Sequence, residues 1–475
     1  MGWVLPLALA IVQLLIIVRL LLNREISTDA RLAWLLLALF LPALGAVLYL
    51  LFGEPWLARR FRGRVAVTRH SLALPQSPAA IGRSSIPDRY RSAFQTCAAI
   101  AGGEVVGGNR VALAEDSDGA IAFMIADFDR AVDTIHVSFY IWLTDHNGSK
   151  VAEALQRAAR RGMTCRVVVD GVGSRDLIAS PLWAAMATAG VRLCVSLKPE
   201  IGFSLASISR PDLRNHRKIV VVDGTITYCG SQNCADPQFR IKPKIAPWVD
   251  VMLRLEGPVA QQNQLIFARD WMVEYGEDLS GLLHAPTSAE TGSGVEAVAF
   301  GTGPTSPRGA MSSAFVTLLN CAERHVVIST PYFVPDSPLI AALLSCARRG
   351  VETTLVVPAR NDSVVVSAIS HAYYGELLAA GVRVHEFHGG LLHAKTLVVD
   401  GQVTLIGSAN MDYRSLYLNF ENNILLYSEA TSATVRRRQD EWLASSTAVE
   451  PAAVQSRPAL RVAFDNLLTM VGPLF

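Results

Sequence analysis

Neither sign of charge dominates this chain: 43 lysines and arginines against 41 aspartates and glutamates leave a formal net charge of +2. A polyanion needs clustered Lys and Arg to hold it, and the chain has neither a dense basic track nor basic residues interleaved with aromatic ones, so no nucleic-acid partner is expected. A disulfide framework is missing too. The seven cysteines, at 97, 165, 194, 229, 234, 321 and 346, are odd in number and scattered through apolar text, which fits a reducing compartment. Cys229 and Cys234 lack metal-site company. Nor is there a nucleotide-binding loop: Gly171-Val172-Gly173 lacks the third glycine of a dinucleotide fingerprint and reads as a turn. Nothing points to ATP chemistry, and no cofactor is expected.

Apolar residues are abundant, 51% of the chain with a mean hydropathy of +0.31, and the excess sits at the front. Residues 3–22 and 32–52 are two nearly unbroken apolar runs. About 20 residues at about 1.5 Å each match a bilayer core of about 30 Å, so the expectation is a transmembrane helical hairpin within residues 1–58. The first run has no Lys or Arg before it and no small-residue cleavage site, unlike a signal peptide. Within it, Arg19 can snorkel from a helix end and Gln13 can be covered by a partner helix. Arg24 and Arg31 lie between the runs, whereas Arg59, Arg60, Arg62, Arg64 and Arg69 follow the second. That bias predicts a multi-pass protein whose main body is cytoplasmic.

The body is organised by a repeat. His216 is followed by Lys218, Asp223, Gly224, Gly230, Ser231 and Asn233; His393 is followed at the same spacings by Lys395, Asp400, Gly401, Gly407, Ser408 and Asn410. Between these fixed positions the filling is apolar and varies freely, as in Ile219-Val220-Val221-Val222 against Thr396-Leu397-Val398-Val399. In an extended chain alternate side chains share a face, so each copy presents a His and a Lys together. The Asp-Gly pair signals a tight hairpin whose second strand returns to Gly-Ser-x-Asn. A Lys charge, a hydroxyl and an amide suit an anionic phosphate, and a His can attack it or exchange a proton.

Around the motifs, strand and helix patterns alternate. Residues 134–142, 164–170 and 191–196 read as strands, with helices at 149–161 and 182–189; later strands at 325–330, 352–357 and 383–387 alternate with helices at 307–322, 337–349 and 363–380. The motif comes last in both series. This predicts an α/β fold with two lobes of mixed sheet flanked by helices. The expected organisation is a linker and lead-in helix at 59–103, lobe 1 at 104–275, a Gly-, Ser-, Thr- and Pro-rich connection at 276–294, lobe 2 at 295–445 and a C-terminal segment at 446–475. That last segment has apolar residues at helical spacing near Arg457 and Arg461, suited either to docking on lipid or to closing the core.

His216-Arg217-Lys218 to Asp223 and His393-Ala394-Lys395 to Asp400 match the HxKxxxxD motif of the phospholipase D superfamily. Asn215, Thr330-Pro331-Tyr332-Phe333-Val334-Pro335-Asp336, Asp412-Tyr413-Arg414-Ser415 and Asn419-Phe420-Glu421 resemble the bacterial cardiolipin synthases of that superfamily, from the N-terminus to about residue 445. The first copy departs from that branch, with Ser231 where a second glycine is usual. The resemblance implies two face-to-face lobes sharing one cleft. It implies His216 as nucleophile and His393 as general acid and base, an order that could be reversed, with Lys218 and Lys395 on the phosphate.

Asn233, Asn410, Ser231 and Ser408 are the expected phosphate donors. Asp223 and Asp400 complete the motif, but hairpin geometry sends them to the far turn, where a structural role is expected. Asp250, in Pro247-Trp248-Val249-Asp250, and Glu421 are the carboxylates expected to orient the histidines. His385, His388 and His393, with Glu386 among them, form a possible metal cluster, but the motif needs His393 for a proton or for phosphorus and strand alternation sends His385 and His388 to opposite faces, so no metal is expected. The implied reaction exchanges one phosphodiester for another: two phosphatidylglycerols give cardiolipin and glycerol at a bacterial inner membrane. Alternatives are a phospholipase D using water or another alcohol and, more remotely, a membrane-tethered nuclease. Self-association into a homo-oligomer stays open.

Overall fold

A computed structural model of the chain describes residues 4–23, 26, 28–53, 68, 72, 85–198, 212–283 and 294–472. Most of the expected linker before residue 88, and residues 284–293 of the expected inter-lobe connection, lie outside them.

The N-terminal segment forms α1 (Val4–Leu22), α2 (Thr28–Phe40), α3 (Pro42–Leu48) and a π-helical turn (Tyr49–Gly53). They pack through Ile16, Leu20, Trp34, Ala38, Ala46 and Tyr49, with the Trp34 and Tyr49 rings edge to face at 5.6 Å. The second apolar run is therefore not one helix. Pro42 has no N–H for the carbonyl four residues back, so the helix is interrupted at Leu41 and restarts with Pro42 in its first turn. Ala38, whose carbonyl loses that partner, accepts instead from Gln13 Nε2 at 3.0 Å. Arg31 caps the other end of the hairpin, donating to the carbonyls of Leu20, Asn23 and Ile26. Among the described residues no helix is long and apolar enough to cross a membrane. The transmembrane hairpin and the multi-pass topology expected from residues 3–22 and 32–52 are corrected accordingly.

Among the described residues the body is built on one mixed sheet of fifteen strands. Its first half contains β1 (Val106–Leu113), β2 (Thr134–Phe139), β3 (Thr164–Asp170), β4 (Arg192–Ser196), β5 (Lys218–Val222), β6 (Ile226–Gly230) and β8 (Met252–Glu256), with the short β7 (Trp248–Val249) outside it. The second half contains β9 (Val295–Thr302), β10 (His325–Ser329), β12 (Glu352–Pro358), β13 (Arg383–Phe387), β15 (Thr396–Val399), β16 (Val403–Gly407), β18 (Glu421–Tyr427) and β19 (Ser446–Ala448). The short β11 (Phe333–Val334), β14 (Leu391–Leu392) and β17 (Met411–Asp412) stand apart from the main sheet.

Read outward from the centre, the order is β1-β8-β6-β5-β2-β3-β4 on one side and β9-β18-β16-β15-β10-β12-β13 on the other, the same path walked twice. The two halves join where β1 and β9 pair antiparallel, with an irregular register between Val106 and Asn109. Buried Asn109 pins the seam, donating to the carbonyls of Val106 and Val295 and accepting from Val259 N–H. Crossing β7 to β14 and Asn215 to Phe420, further backbone pairing ties the halves together at the motif end.

The helix Asp88–Ala101, expected to lead into lobe 1, packs instead in the core of the second half. Its buried residues Tyr90, Ala93, Phe94 and Cys97 follow the i, i+3, i+4, i+7 spacing of one helical face and meet Phe300, Met311 and Leu318. The C-terminal helix Ala459–Val471 packs on Val364–Ala379, burying Asp465 against Arg457 and Arg461, while Leu460, Leu467 and Met470 stay exposed.

Candidate active site

Each motif hairpin has its polar residues at one end and its turn at the other. At the turn, Asp223 and Asp400 adopt φ of 50° and 52°, followed by Gly224 and Gly401 at 64° and 68°, a consecutive left-handed pair within a three-residue loop, since Val222 pairs with Ile226 and Val399 with Val403. The Asp223 carboxylate accepts from the N–H groups of Val132, Asp133 and Thr134, and Asp400 from those of Glu323, Arg324 and His325. These two motif residues tie each hairpin to the start of the neighbouring strand and are not assembled with the histidines.

At the other end, His216, Lys218, His393 and Lys395 are all buried. Each Lys Nζ donates back to the carbonyl of its own His at 2.6 Å, which holds both ammonium groups beside the rings. The carboxylates cross over. His216, in the first half, is bound through Nδ1 by Glu421 of the second half at 2.9 and 3.0 Å; His393, in the second half, is bound by Asp250 of the first at 2.6 Å. The backbone repeats the exchange, with His216 N–H donating to Phe420 and His393 N–H to Val249.

Ser231 and Ser408, expected on the phosphate, serve the carboxylates. Ser231 Oγ donates to Asp250 at 2.6 Å and accepts from Val251 N–H; Ser408 Oγ donates to Glu421 and accepts from Asn422 N–H. A hydroxyl has one proton, and here it is spent on the carboxylate. Glu421 also accepts from Ser415 Oγ at 2.8 Å and Asn419 Nδ2 at 3.3 Å. Asn233 accepts from Ile141 N–H, and Asn410 donates to Asp412 while its own Oδ1 is buried without a partner. Trp248 Nε1 and Arg214 Nη1 are likewise buried and unpartnered, so this end of the sheet holds polar atoms whose needs a ligand would meet.

Burial pushes His216 and His393 down to about 4, against the pull of Glu421 and Asp250. Burial also lowers Lys218 to about 7 and Lys395 to about 8. Burial alone would raise Asp250, but His393, Lys395 and Ser231 hold it down to about 2; Glu421 is lowered in the same way by His216, Lys218 and Ser408. An ionised carboxylate only accepts, so Nδ1 of each neutral imidazole carries the proton and Nε2 presents a lone pair. The halves also feel each other: the Lys395 charge acts on His216 and the Lys218 charge on His393. Two nucleophilic ring nitrogens and two ammonium groups in one desolvated place form a site for chemistry on an anion.

Aromatic neighbours complete it. Tyr140 lies against His216 with ring centroids 5.0 Å apart and under Lys218 Nζ at 5.4 Å; Trp248 lies against His393 at 4.4 Å and stacks on Phe239 at 3.8 Å. The sequence reading missed Tyr140. Its available signal was position: it directly follows β2, at the strand end where ligands of α/β sheets gather. The rival metal cluster is engaged otherwise, since Glu386 accepts from Tyr374 and pairs with His371, while His388 meets Thr447.

Comparison with known proteins identifies the family. A family model described as "Cardiolipin synthase, PLD-like domain" matches residues 124–271 and 315–442, and one described as "Phospholipase_D-nuclease N-terminal" matches 8–54. Cardiolipin synthase A of Edwardsiella ictaluri is 35% identical over 96% of this chain and 95% of its own length, and that of Yersinia pseudotuberculosis is 35% identical over the same shares. Among solved structures, the phosphatidylserine synthase of Haemophilus influenzae matches with a TM-score of 0.59 at 13% identity, covering 81% of this chain and all of that one, which speaks to the fold. The doubled motif, its α/β frame and these likenesses place the chain in the cardiolipin synthase family of phospholipase D-like enzymes.

Proposed function

We propose that the protein is a phosphatidyltransferase that converts two phosphatidylglycerols into cardiolipin and glycerol without a cofactor. The observation that carries this reading is the crossed pair of buried imidazoles, each with its Nδ1 bound by the other half's carboxylate. His216 Nε2 attacks the phosphorus of one phosphatidylglycerol and forms an N–P bond. The P–O bond to the head-group glycerol breaks, and His393, protonated at Nε2, gives its proton to the leaving oxygen. The bound phosphodiester's negative charge favours that imidazolium, whose other proton stays on Nδ1 and is donated to Asp250. A head-group hydroxyl of the second phosphatidylglycerol then returns a proton to His393 as its oxygen attacks phosphorus, releasing His216 and forming cardiolipin. Two in-line displacements retain configuration at phosphorus. Lys218, Lys395, Asn233 and Asn410 stabilise the non-bridging oxygens.

The substrates lie in a bilayer, and the outward faces of the N-terminal hairpin, with Leu7, Leu14, Leu15, Leu22, Phe40 and Leu44 exposed, suit seating at a membrane. The arginines from 59 to 69 suit contact with the anionic head groups of a membrane surface. The test is product analysis on phosphatidylglycerol vesicles. Cardiolipin and glycerol in equal amounts support the reading, whereas phosphatidate as the main product would show a phospholipase instead. His216→Ala and His393→Ala should each lose about 10³-fold or more of the transfer, and substrate labelled in phosphorus should leave label on His216 in the His393→Ala protein. Label on another residue overturns the order of the two histidines.

A further inference from the structure

Exchange at a phosphodiester has to hold an alcohol as well as a phosphate, and the groups described so far meet the phosphate and the one oxygen that His393 protonates. The proposed transfer, on which the following rests, gives that oxygen the same neighbour twice. When a phosphatidylglycerol is attacked, the leaving oxygen is one end of its head-group glycerol, and the middle hydroxyl is on the next carbon. When the second phosphatidylglycerol attacks, it does so with the free end of its own head group, and the middle hydroxyl is again on the next carbon. A single donor beside His393 can therefore bind that hydroxyl in both displacements.

Trp248 is so placed. β7 pairs parallel with β14, Trp248 opposite Leu391 and Val249 opposite Leu392, and His393 N–H donates to the Val249 carbonyl at 2.8 Å, which fixes the indole on the segment next to His393. The two rings lie 4.4 Å apart between centroids, with their planes at 45°. Trp248 is 5% exposed and His393 2%, so a head group that reaches one ring meets the other.

The indole N–H is buried and has no hydrogen-bond partner. It points along the ring plane, so stacking on Phe239 does not satisfy it, and the side chains of its buried cluster, Leu143, Ala235, Phe239 and Leu391, offer no acceptor. An unpaired buried donor is destabilising, and a ring without one would fill the same apolar place free of that penalty. The opposite half uses its donor differently. Asn419 stands two residues before Glu421, as Trp248 stands two before Asp250, and it donates to Glu421 at 3.3 Å.

We infer that Trp248 Nε1 donates a hydrogen bond to the middle hydroxyl of the head-group glycerol, first of the leaving alcohol and then of the attacking one. Indole is a donor only, so it requires an oxygen with a free lone pair beside the reacting hydroxyl. Glycerol supplies one. The ammonium of an ethanolamine head group has no lone pair, and water brings no second oxygen. Trp248 thus selects a vicinal diol as the alcohol partner.

The experiment gives the full chain, in phosphatidylglycerol vesicles, equal concentrations of 1,2-propanediol and 1-propanol, which differ by that one hydroxyl, and measures the two phosphatidyl alcohols by mass spectrometry. Each forms by the proposed route: the P–O bond to glycerol breaks, a P–O bond to the added alcohol replaces it, and the proton passes through His393. The wild type should favour the diol by about tenfold. In Trp248→Phe, which keeps an aromatic ring against His393 and removes the N–H, the preference should fall to within about twofold, mainly by loss of the diol product. Phe239→Leu, which disturbs the stacking and leaves the N–H, should keep the preference. A wild type without the preference, a Trp248→Phe protein that retains it or loses both products alike, or an equal fall in Phe239→Leu overturns the inference. Transfer to neither alcohol by the wild type would overturn the proposed function, and the inference with it.

Discussion

The two halves of the site are alike where bonds would change and unlike one residue further out. In both, a Lys folds back onto the carbonyl of its His, a Ser fixes a carboxylate, and that carboxylate grips the His of the opposite half. Around His216 the surroundings are polar: Arg214 and Asn215 precede it, and Glu421 is held by Ser408, Ser415 and Asn419 as well as by the ring. Around His393 they are apolar: Leu391 and Leu392 precede it, Trp248 and Phe239 stack beside it, and Asp250 has Ser231 and the ring as its side-chain donors. A repeat has kept its reacting core while its flanks diverged. Such divergence suits the two different tasks proposed for the histidines, one attacking phosphorus and the other meeting the leaving and entering oxygens on its opposite side.

The largest effect that would test the crossing itself comes from the carboxylates. Asp250→Asn and Glu421→Gln each replace an acceptor with an amide that can turn an N–H toward the ring, removing the partner of the Nδ1 proton. Each should lower kcat about 10²- to 10³-fold with little change in KM. Asp250→Asn should cost more, because Glu421→Gln leaves a side chain still positioned by Ser415 and Asn419. Equal small effects in both would mean that the rings are oriented by packing rather than by the exchanged carboxylates.

The reacting core was legible because its polar skeleton recurs in register against a variable apolar filling, and period-two alternation tells which residues share a face. The α/β class followed from the alternation of strand and helix patterns. The exchange of carboxylates was not legible. Asp250 follows His216 closely in the chain and Glu421 follows His393, so sequence proximity suggests pairing within each half, whereas the two-fold fold pairs them across it. The serines misled for a related reason: a hydroxyl near a His reads as a phosphate donor until the buried carboxylate claims its proton. At the front, hydropathy saw one continuous apolar run through residues 32–52, but a single Pro42 divides it, and window averages do not register a missing N–H. Asp88–Ala101 leads into the first half in chain order yet packs on the second, a non-local contact that chain order does not reveal.

The next effect in size is on stability. Both imidazoles are buried neutral, with folded values near 4 against 6.5 for the ordinary side chain. Between those limits the unfolded chain binds more protons, so their contribution is intact above pH 6.5 and is lost progressively as pH falls toward 4. Linkage puts this at about 3 kcal/mol per ring as an upper bound. Asp250 works in a lower window, intact above its ordinary 3.8 and lost as pH falls through about 2. Thermal unfolding in detergent should therefore show Tm dropping between pH 6.5 and 4, with a shallower slope in His216→Asn and in His393→Asn. Because both rings are equally buried, the two variants should flatten the slope alike; a large difference would show that one half is more hydrated than the other.

The smallest effects lie at the far turns, where the halves differ by one contact. Asp223 and Asp400 each collect three backbone N–H groups, but Asp400 also accepts from Tyr90 Oη at 3.0 Å, supplied by the helix Asp88–Ala101 that packs on the second half. Asparagine tolerates the left-handed backbone at both positions, removes the charge and turns one of the two acceptor oxygens into an NH2 that cannot accept. Asp223→Asn should cost about 1 kcal/mol, and Asp400→Asn about 2 kcal/mol, because a buried phenol also loses its charged acceptor. Tyr90→Phe should cost about 1 kcal/mol alone and add little on top of Asp400→Asn, since both changes remove the same bond. In all three, turnover measured well below Tm should stay within about twofold of the starting protein, because these groups hold the hairpins and never meet the phosphate. If Asp223→Asn instead lowered kcat without lowering Tm, the first hairpin would be transmitting more than position, and the likeness between the two halves would end at the turns as well as at the flanks.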